Sequence, residues 1–148
     1  MKLIKKLLLA AMATVLLIIS MITLCGYLQY KQAVNKSPLT TKIEAIQADE
    51  DYVSYEEIAP YLLQATVAIE DRRFYSHGGF DVLATGRAFL GTVFGFGRSG
   101  GSTITQQLAK NLYFGYEPSL TRKVSELFVS HDLEAACSKE EILTLYVN

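Results

Sequence analysis

The chain changes hydrophobic pattern once, near residue 30. From Leu7 to Leu28 it runs 22 residues without a charge, behind Lys2, Lys5 and Lys6. At about 1.5 Å rise per residue, a helix of that length crosses a hydrocarbon core of roughly 30 Å. Lysines on the short N-terminal flank favour a cytoplasmic N-terminus and place the remainder outside, although Lys31 and Lys36 on the other flank weaken the bias. Tyr27 and Tyr30 suit the outer interface. No A-x-A-like cleavage site follows, and Leu24 precedes Cys25 where a lipoprotein would need a small residue. Residues 1–30 are therefore expected to be a retained, single-pass membrane anchor.

Residues 31–51 mix polar and scattered apolar positions and are expected to form a linker, either a tether or a short extended lead-in. From residue 52 to 148 the pattern is helical. Ser54 and Glu57 have capping-box spacing, and Pro60 fits the first turn of a helix running to about Glu70. Asp81 can cap a helix carrying Val82, Leu83, Leu90 and Val93, which ends at the glycine-rich stretch from Gly95 to Ser102. Thr103 and Gln106 make a capping box for a helix with the stripe Ile104, Leu108 and Leu112. Pro118-Ser119 opens a further helix to about Ala136, with Leu120, Val124, Leu127 and Phe128 expected on its inner face. Ser138 and Glu141 cap a last one carrying Ile142, Leu143 and Tyr146. No strand-like alternation competes, so the fold class is all-α.

Composition narrows the partners. After residue 30 the chain has 11 basic and 15 acidic residues, so no nucleic acid partner is expected. Any anion must be held by a local cluster of cations. The two cysteines, Cys25 and Cys137, are far apart and one lies in the apolar run, which argues against a disulfide framework. With no CxxC and only two histidines, no structural zinc site is expected, and no residue is assigned as a metal ligand.

Four clusters look chemical. Glu70 and Asp71 end an apolar run near a helix C-terminus, where the macrodipole disfavours anions by a few tenths to about 1 kcal/mol. A carboxylate kept there suits a general base; the plain alternative is neutralisation by Arg72 and Arg73. Gly100-Gly-Ser-Thr103 enters a helix whose free N–H groups suit an anion, though such turns are common. Gln106, Gln107, Lys110 and Asn111 form a polar face that could equally be solvated surface. Arg122 and Glu126 are i,i+4, which an ordinary surface ion pair explains. His77, beside Ser76 and two glycines, reads as a residue that orders a loop.

Taken in order, these segments resemble one family. Glu70-Asp-Arg-Arg-Phe-Tyr-Ser-His-Gly-Gly-Phe-Asp81 resembles the first motif of the family 51 glycosyltransferases, the peptidoglycan polymerases. Gly100-Gly-Ser-Thr-Ile-Thr-Gln-Gln-Leu-Ala-Lys-Asn111 is similar to the second, Arg122-Lys-Val-Ser-Glu126 to the third, and Lys139-Glu-Glu-Ile-Leu-Thr-Leu-Tyr-Val-Asn148 to the fourth. The resemblance implies a lysozyme-like, all-α glycosyltransferase lobe over residues 52–148 with an N-terminal transmembrane helix. It implies an inverting hexosyl transfer that polymerises lipid II into β-1,4-linked glycan strands and releases undecaprenyl diphosphate. Glu70 would be the general base. Glu126 would be the second essential carboxylate, near the diphosphate, with the option of holding a divalent cation, Mg or Mn; no tightly bound cofactor is implied. Lys110, Arg122 and Lys123 would face the diphosphate, and Ser102, Gln106, Gln107 and Asn111 would line the donor site. The implied partners are lipid II, the growing lipid-linked glycan, the membrane and other cell-wall synthesis proteins.

Two departures accompany the match. Pro118 stands where many members carry arginine, so a phosphate contact is lost or supplied elsewhere, for example by Arg98. The chain also stops in the fourth motif, without the fifth motif and the helices that complete the lobe. Leu143 and Tyr146 are therefore expected to lack cover, and turnover to be weak or absent. The competing function is a catalytically inactive, membrane-anchored module that binds lipid II or cell-wall partners.

Overall fold

The computed structural model describes residues 2–95 and 100–148, without the side chains of Phe89, Thr92 and Val93. Val93 on the second expected stripe and Arg98 as a substitute phosphate contact thus lie outside the described residues. Among the described residues there are seven α-helices, one short 3-10 turn and no strand. Neither cysteine is bonded.

Helix α1 spans Lys2–Lys36 and α2 spans Leu39–Gln47. The segment 31–51 is therefore largely helical, where a linker was expected. No glycine or proline interrupts residues 27–36, so nothing stops α1 until the break at Pro38. The scattered apolar positions Val34, Leu39, Ile43 and Ile46 are the inward face of this helical pair, packed against the core.

Local chemistry fixes the other boundaries. Helix α3, Pro60–Glu70, has its proline in the first turn. Helix α4, Val82–Phe94, starts where the Asp81 carboxylate accepts the Leu83 and Ala84 amides at 2.8 and 3.0 Å, and closes at Gly95. Both capping boxes form, at Thr103 for α5, Ile104–Tyr113, and at Ser138 for α7, Lys139–Val147. Ser119 caps α6, Leu120–Ala136. Ser54 and Glu57 also join, but in a turn that precedes α3.

The core is organised around α5, which packs between α6 and α7, while the C-terminal third of α1 lies along α6. Ile104, Leu108 and Ala109 of α5 meet Val129 and Leu133 of α6 and Ile142, Leu143 and Leu145 of α7, with Phe74, Leu63 and Ile58 closing the cluster. Three expectations change here. The buried positions of α6 are Ser125, Glu126, Val129, Ser130 and Leu133, whereas Leu120 is 70% exposed. α6 is covered on two sides: Val124 meets α1 at Gly26, and Phe128 joins the core through Tyr30 of α1. Second, Val82, Leu83 and Leu90 on α4 are exposed instead of buried. Third, Leu143 is fully buried, and half-buried Tyr146 donates its hydroxyl to Gln107 Oε1 at 3.0 Å. The Asn148 side chain also ties down α7, exchanging hydrogen bonds of 2.8 and 3.0 Å with the Val53 backbone.

Leu133 is 0% exposed at the meeting of α5, α6 and α7. Leu133→Ala should therefore cost about 2–5 kcal/mol, the loss of transfer energy plus a residual cavity. Urea unfolding in detergent measures it, and a loss below about 1 kcal/mol would place this leucine outside the cooperative core.

Candidate active site

The groove forms where the end of α3, the start of α4 and the first turns of α5 converge. Its volume is about 660 Å³, and Glu70, Arg73, Arg87, Ser102, Gln107 and Lys110 line it. Glu70 is the last residue of α3 and is exposed; Gln107 Nε2 donates to its Oε2 at 2.9 Å. Gln107 is itself oriented by Tyr146, so α7 holds the residue that holds Glu70. Lys110, one turn further along α5, stacks its ammonium over the Tyr116 ring at 4.6 Å. Among the described residues no carboxylate lies within ion-pair distance of Lys110 or Arg87, so both leave positive charge facing the groove.

Asp71 and its neighbours build the rim. Arg72 and Arg73 do not neutralise the Glu70–Asp71 pair. Arg72 Nε donates to the Ala68 carbonyl, and Arg73 forks onto Asp81 with two bonds of 2.9 Å. Asp71 instead accepts from the Ile104 amide at 3.1 Å and meets His77 Nε2 at 2.9 Å. The other nitrogen of His77 lies against the Gly78 carbonyl, so this histidine orders its loop as expected. Thr103 Oγ1 donates to the Gly79 carbonyl at 2.8 Å. One carboxylate thus joins the end of α3 to the start of α5, and the other joins the loop to α4.

Glu126 does not line the groove. It is 0% exposed, beneath the groove floor, and an ordinary surface pair is excluded. Arg122 and Lys123 both hold its carboxylate, Lys123 at 2.7 Å, and the same Lys123 ammonium donates to Ser102 Oγ at 2.7 Å. Ser102 therefore connects the buried cluster to the groove. Arg122 is braced further by donating Nε to the Glu117 carbonyl at 2.8 Å. With two cations on one carboxylate, the cluster carries a net charge of +1 at neutral pH. Both Glu126 oxygens are occupied, so its surroundings fit an anion better than a divalent cation. Asp71, His77 and Asp81 bring ligand-type atoms within 4.8 Å of one another, but their oxygens are already taken by Arg73, His77 and three backbone amides.

Of the residues expected in one site, Glu70, Ser102, Gln107 and Lys110 share the groove, and Arg122, Lys123 and Glu126 adjoin it through Ser102. Gln106 does not line it. It is 1% exposed, and its carbonyl accepts the Thr103 amide at 3.2 Å as half of the capping box. Asn111 is exposed and lies away from the groove lining. The sequence pattern offers Arg73 only as a neutraliser of the Glu70–Asp71 pair, and Arg87 is not among the expected site residues. Arg87 is the one charge in the apolar helix α4, three residues after groove-lining Ala84, and that isolation was the available signal.

A family model described as Transglycosylase matches residues 36–148. The chain is 45% identical over 109 residues to a monofunctional glycosyltransferase of Staphylococcus saprophyticus, a match that covers 74% of this chain and 40% of that protein. It is 46% identical over 106 residues to the Staphylococcus haemolyticus protein of the same name, covering 72% and 39%. With a Staphylococcus aureus relative of that name it shares 42% over 107 residues, covering 72% and 40%. The matched part of the chain thus spans about 40% of the length of these relatives.

The Arg73 guanidinium holds the Asp81 carboxyl well below the usual range, at about 2, with the Ala84 and Leu83 amides adding to the effect and burial opposing it. Its reference value is 3.8, so the stability it contributes is complete above about pH 4 and is lost as pH falls towards 2. Asp81→Asn should lower the melting temperature at pH 7 and flatten its decline between pH 4 and pH 2. Equal slopes for wild type and variant across that window would remove Asp81 from the acid response.

Proposed function

Because this chain belongs to the transglycosylase family, we propose that its groove serves glycosyl transfer between lipid-linked sugars, polymerising lipid II into β-1,4-linked glycan. The observation that supports this most is the arrangement of charge. One exposed carboxylate, Glu70, shares a groove with Arg87 and Lys110, cations without an ion pair among the described residues. The carboxylates of Asp71 and Asp81 in the same lining are held by His77 and Arg73, and Ser102 joins the groove to Arg122 and Lys123.

In this reading the acceptor 4-hydroxyl enters beside Glu70, which takes its proton as the oxygen attacks C1 of the donor. The C1–oxygen bond to the diphosphate breaks, the configuration at C1 inverts, and undecaprenyl diphosphate departs. Negative charge grows on the leaving group, so the fixed cations around Ser102 lower the barrier. No proton donor for the leaving group is required, unlike glycoside hydrolysis, where a second carboxylic acid protonates a poor leaving oxygen. Glu126 then acts through its partners: it holds Arg122 and Lys123 in place and leaves one net positive charge beside Ser102. No step is drawn through a metal ion, because both Glu126 oxygens already face cations.

A second reading, binding of lipid II without turnover, draws support from the open setting of the base. Glu70 is exposed, and its neighbour Ile69 on the groove rim is 78% exposed. A carboxylate open to water is a less effective proton acceptor than one in a closed site.

Measuring both the binding and the polymerisation of labelled lipid II separates the two. If the groove transfers sugar, Glu70→Gln should lower turnover by ~10²–10⁴ while binding changes little. Lys123→Ala should weaken binding. Binding by wild type with no glycan formed selects the second reading, and absence of both binding and turnover rejects both.

A further inference from the structure

The covered positions on α1 form a stripe that starts inside the uncharged run. Ile22 is partly covered, Gly26 and Tyr30 are buried, and Ala33 and Val34 are partly covered, whereas the residues between Ile22 and Gly26 are exposed. Ile22 lies six residues, roughly 9 Å, before the run ends at Leu28. The folded part of the chain therefore descends alongside the membrane-crossing helix instead of beginning above it.

The element that descends is the start of α6. A Cβ on Gly26 would lie 2.6 Å from Val124 Cβ and Cγ1 and 2.9 Å from the Thr121 carbonyl oxygen, so only glycine permits this approach. The Ser125 hydroxyl lies 2.8 Å from the Gly26 carbonyl oxygen. One turn later, Tyr30 stacks on Phe128 with centroids 5.4 Å apart, and its hydroxyl donates to Asp132 at 2.6 Å. Contacts that pair 26 with 121–125 and 30 with 128–132 mean that the two helices run in the same direction. By that register Leu120, 70% exposed, lies about one turn below the Gly26 level, close to the height of Ile22, and Tyr116, 81% exposed, lies in the loop that precedes it.

We propose that the loop before α6 and its first turn form a lipid-contacting surface: Leu120 enters the acyl boundary, and docking at Gly26 fixes Arg122 and Lys123 at the height of the lipid phosphates. The occupant is the bilayer leaflet from which the C-terminal end of α1 emerges, because the surface continues the apolar flank of α1. Exposed Leu120 becomes favourable there, and Tyr116 matches the interfacial preference of aromatic rings. Gly26 acts as a positioning residue: it touches no substrate but sets where the cations stand. Placing those cations on a substrate diphosphate rests on the function proposed above; the docking and the depth do not.

Spin labelling tests the depth without any turnover. In the full chain with Cys25 and Cys137 replaced by serine, a nitroxide goes on Leu120→Cys, on Ile22→Cys or on exposed Glu140→Cys, in phosphatidylglycerol vesicles. Collisions with oxygen, which concentrates in lipid, are compared with those of a water-soluble nickel chelate. The Leu120 label should favour oxygen several-fold over the Glu140 label and approach the Ile22 label. Gly26→Leu should push α6 away and turn the Leu120 label towards nickel. A wild-type Leu120 label that behaves like Glu140 overturns the proposal even if Gly26→Leu fails to fold. A folded Gly26→Leu that leaves the Leu120 label unchanged overturns the role of Gly26.

Discussion

The buried Glu126 carboxylate imposes the constraint on which the groove depends. An ionised group at 0% exposure is tolerated only with charge partners and hydrogen bonds, and here Arg122 and Lys123 supply both. Each cation satisfies one of the two carboxylate oxygens, and removing either would leave a buried oxygen without its partner, so the two long side chains are held at defined positions. Lys123 carries that order outward, because the ammonium that satisfies Glu126 also reaches Ser102 at the groove. A cation fixed before the ligand arrives loses little freedom on binding, which is the benefit of a preorganised electrostatic site. The stability cost of burying charge is thereby spent on geometry.

The same device appears twice at the groove rim. Asp71 receives the first amide of α5, and Asp81 receives the first amides of α4, so each carboxylate complements a helix N-terminus while gripping a side chain elsewhere. His77 and Arg73 are the second partners. Two otherwise weakly packed elements are tied by these polar staples rather than by apolar burial: the end of α3 to α5 through Asp71, and the start of α4 to the loop after α3 through Asp81. That explains why Leu83 and Leu90 can remain exposed while Asp81 beside them is almost wholly buried.

What was legible in the sequence follows the range of the interactions. The caps at Asp81, Thr103, Ser119 and Ser138 depend on residues two or three apart, and all four form. The stripe of α5 was legible because a central helix buries one broad face. The inward face of α6 was not, since α1 covers part of it and polar Ser125 and Glu126 are inside while Leu120 is outside. A helix flanked on two sides has no single apolar stripe to read. Segment 31–51 was illegible for the converse reason: its four core-facing residues are split at Pro38 between the last turns of α1 and the short α2, and neither stretch shows enough periods to stand out. Gln106 could be read as ligand or as cap from the same four letters, and only its burial decides for the cap.

Continuity between anchor and fold changes what the anchor can do. A flexible 21-residue tether would let its load wander by roughly 25 Å, taking 5–6 Å times the square root of its length. On the proposed function, a lipid-linked reactant could not follow such excursions, since its prenyl chain holds the phosphates at one level of the bilayer. Helix α1 removes that freedom: it passes from the apolar run into the core without a break, and Gly26, Tyr30 and Val34 lock it to the rest. The constraint at Glu126 fixes the cations relative to α6, and the constraint at Gly26 fixes α6 relative to α1. Each without the other would leave the positive charge ordered but detached from the anchor helix, or attached to it but disordered.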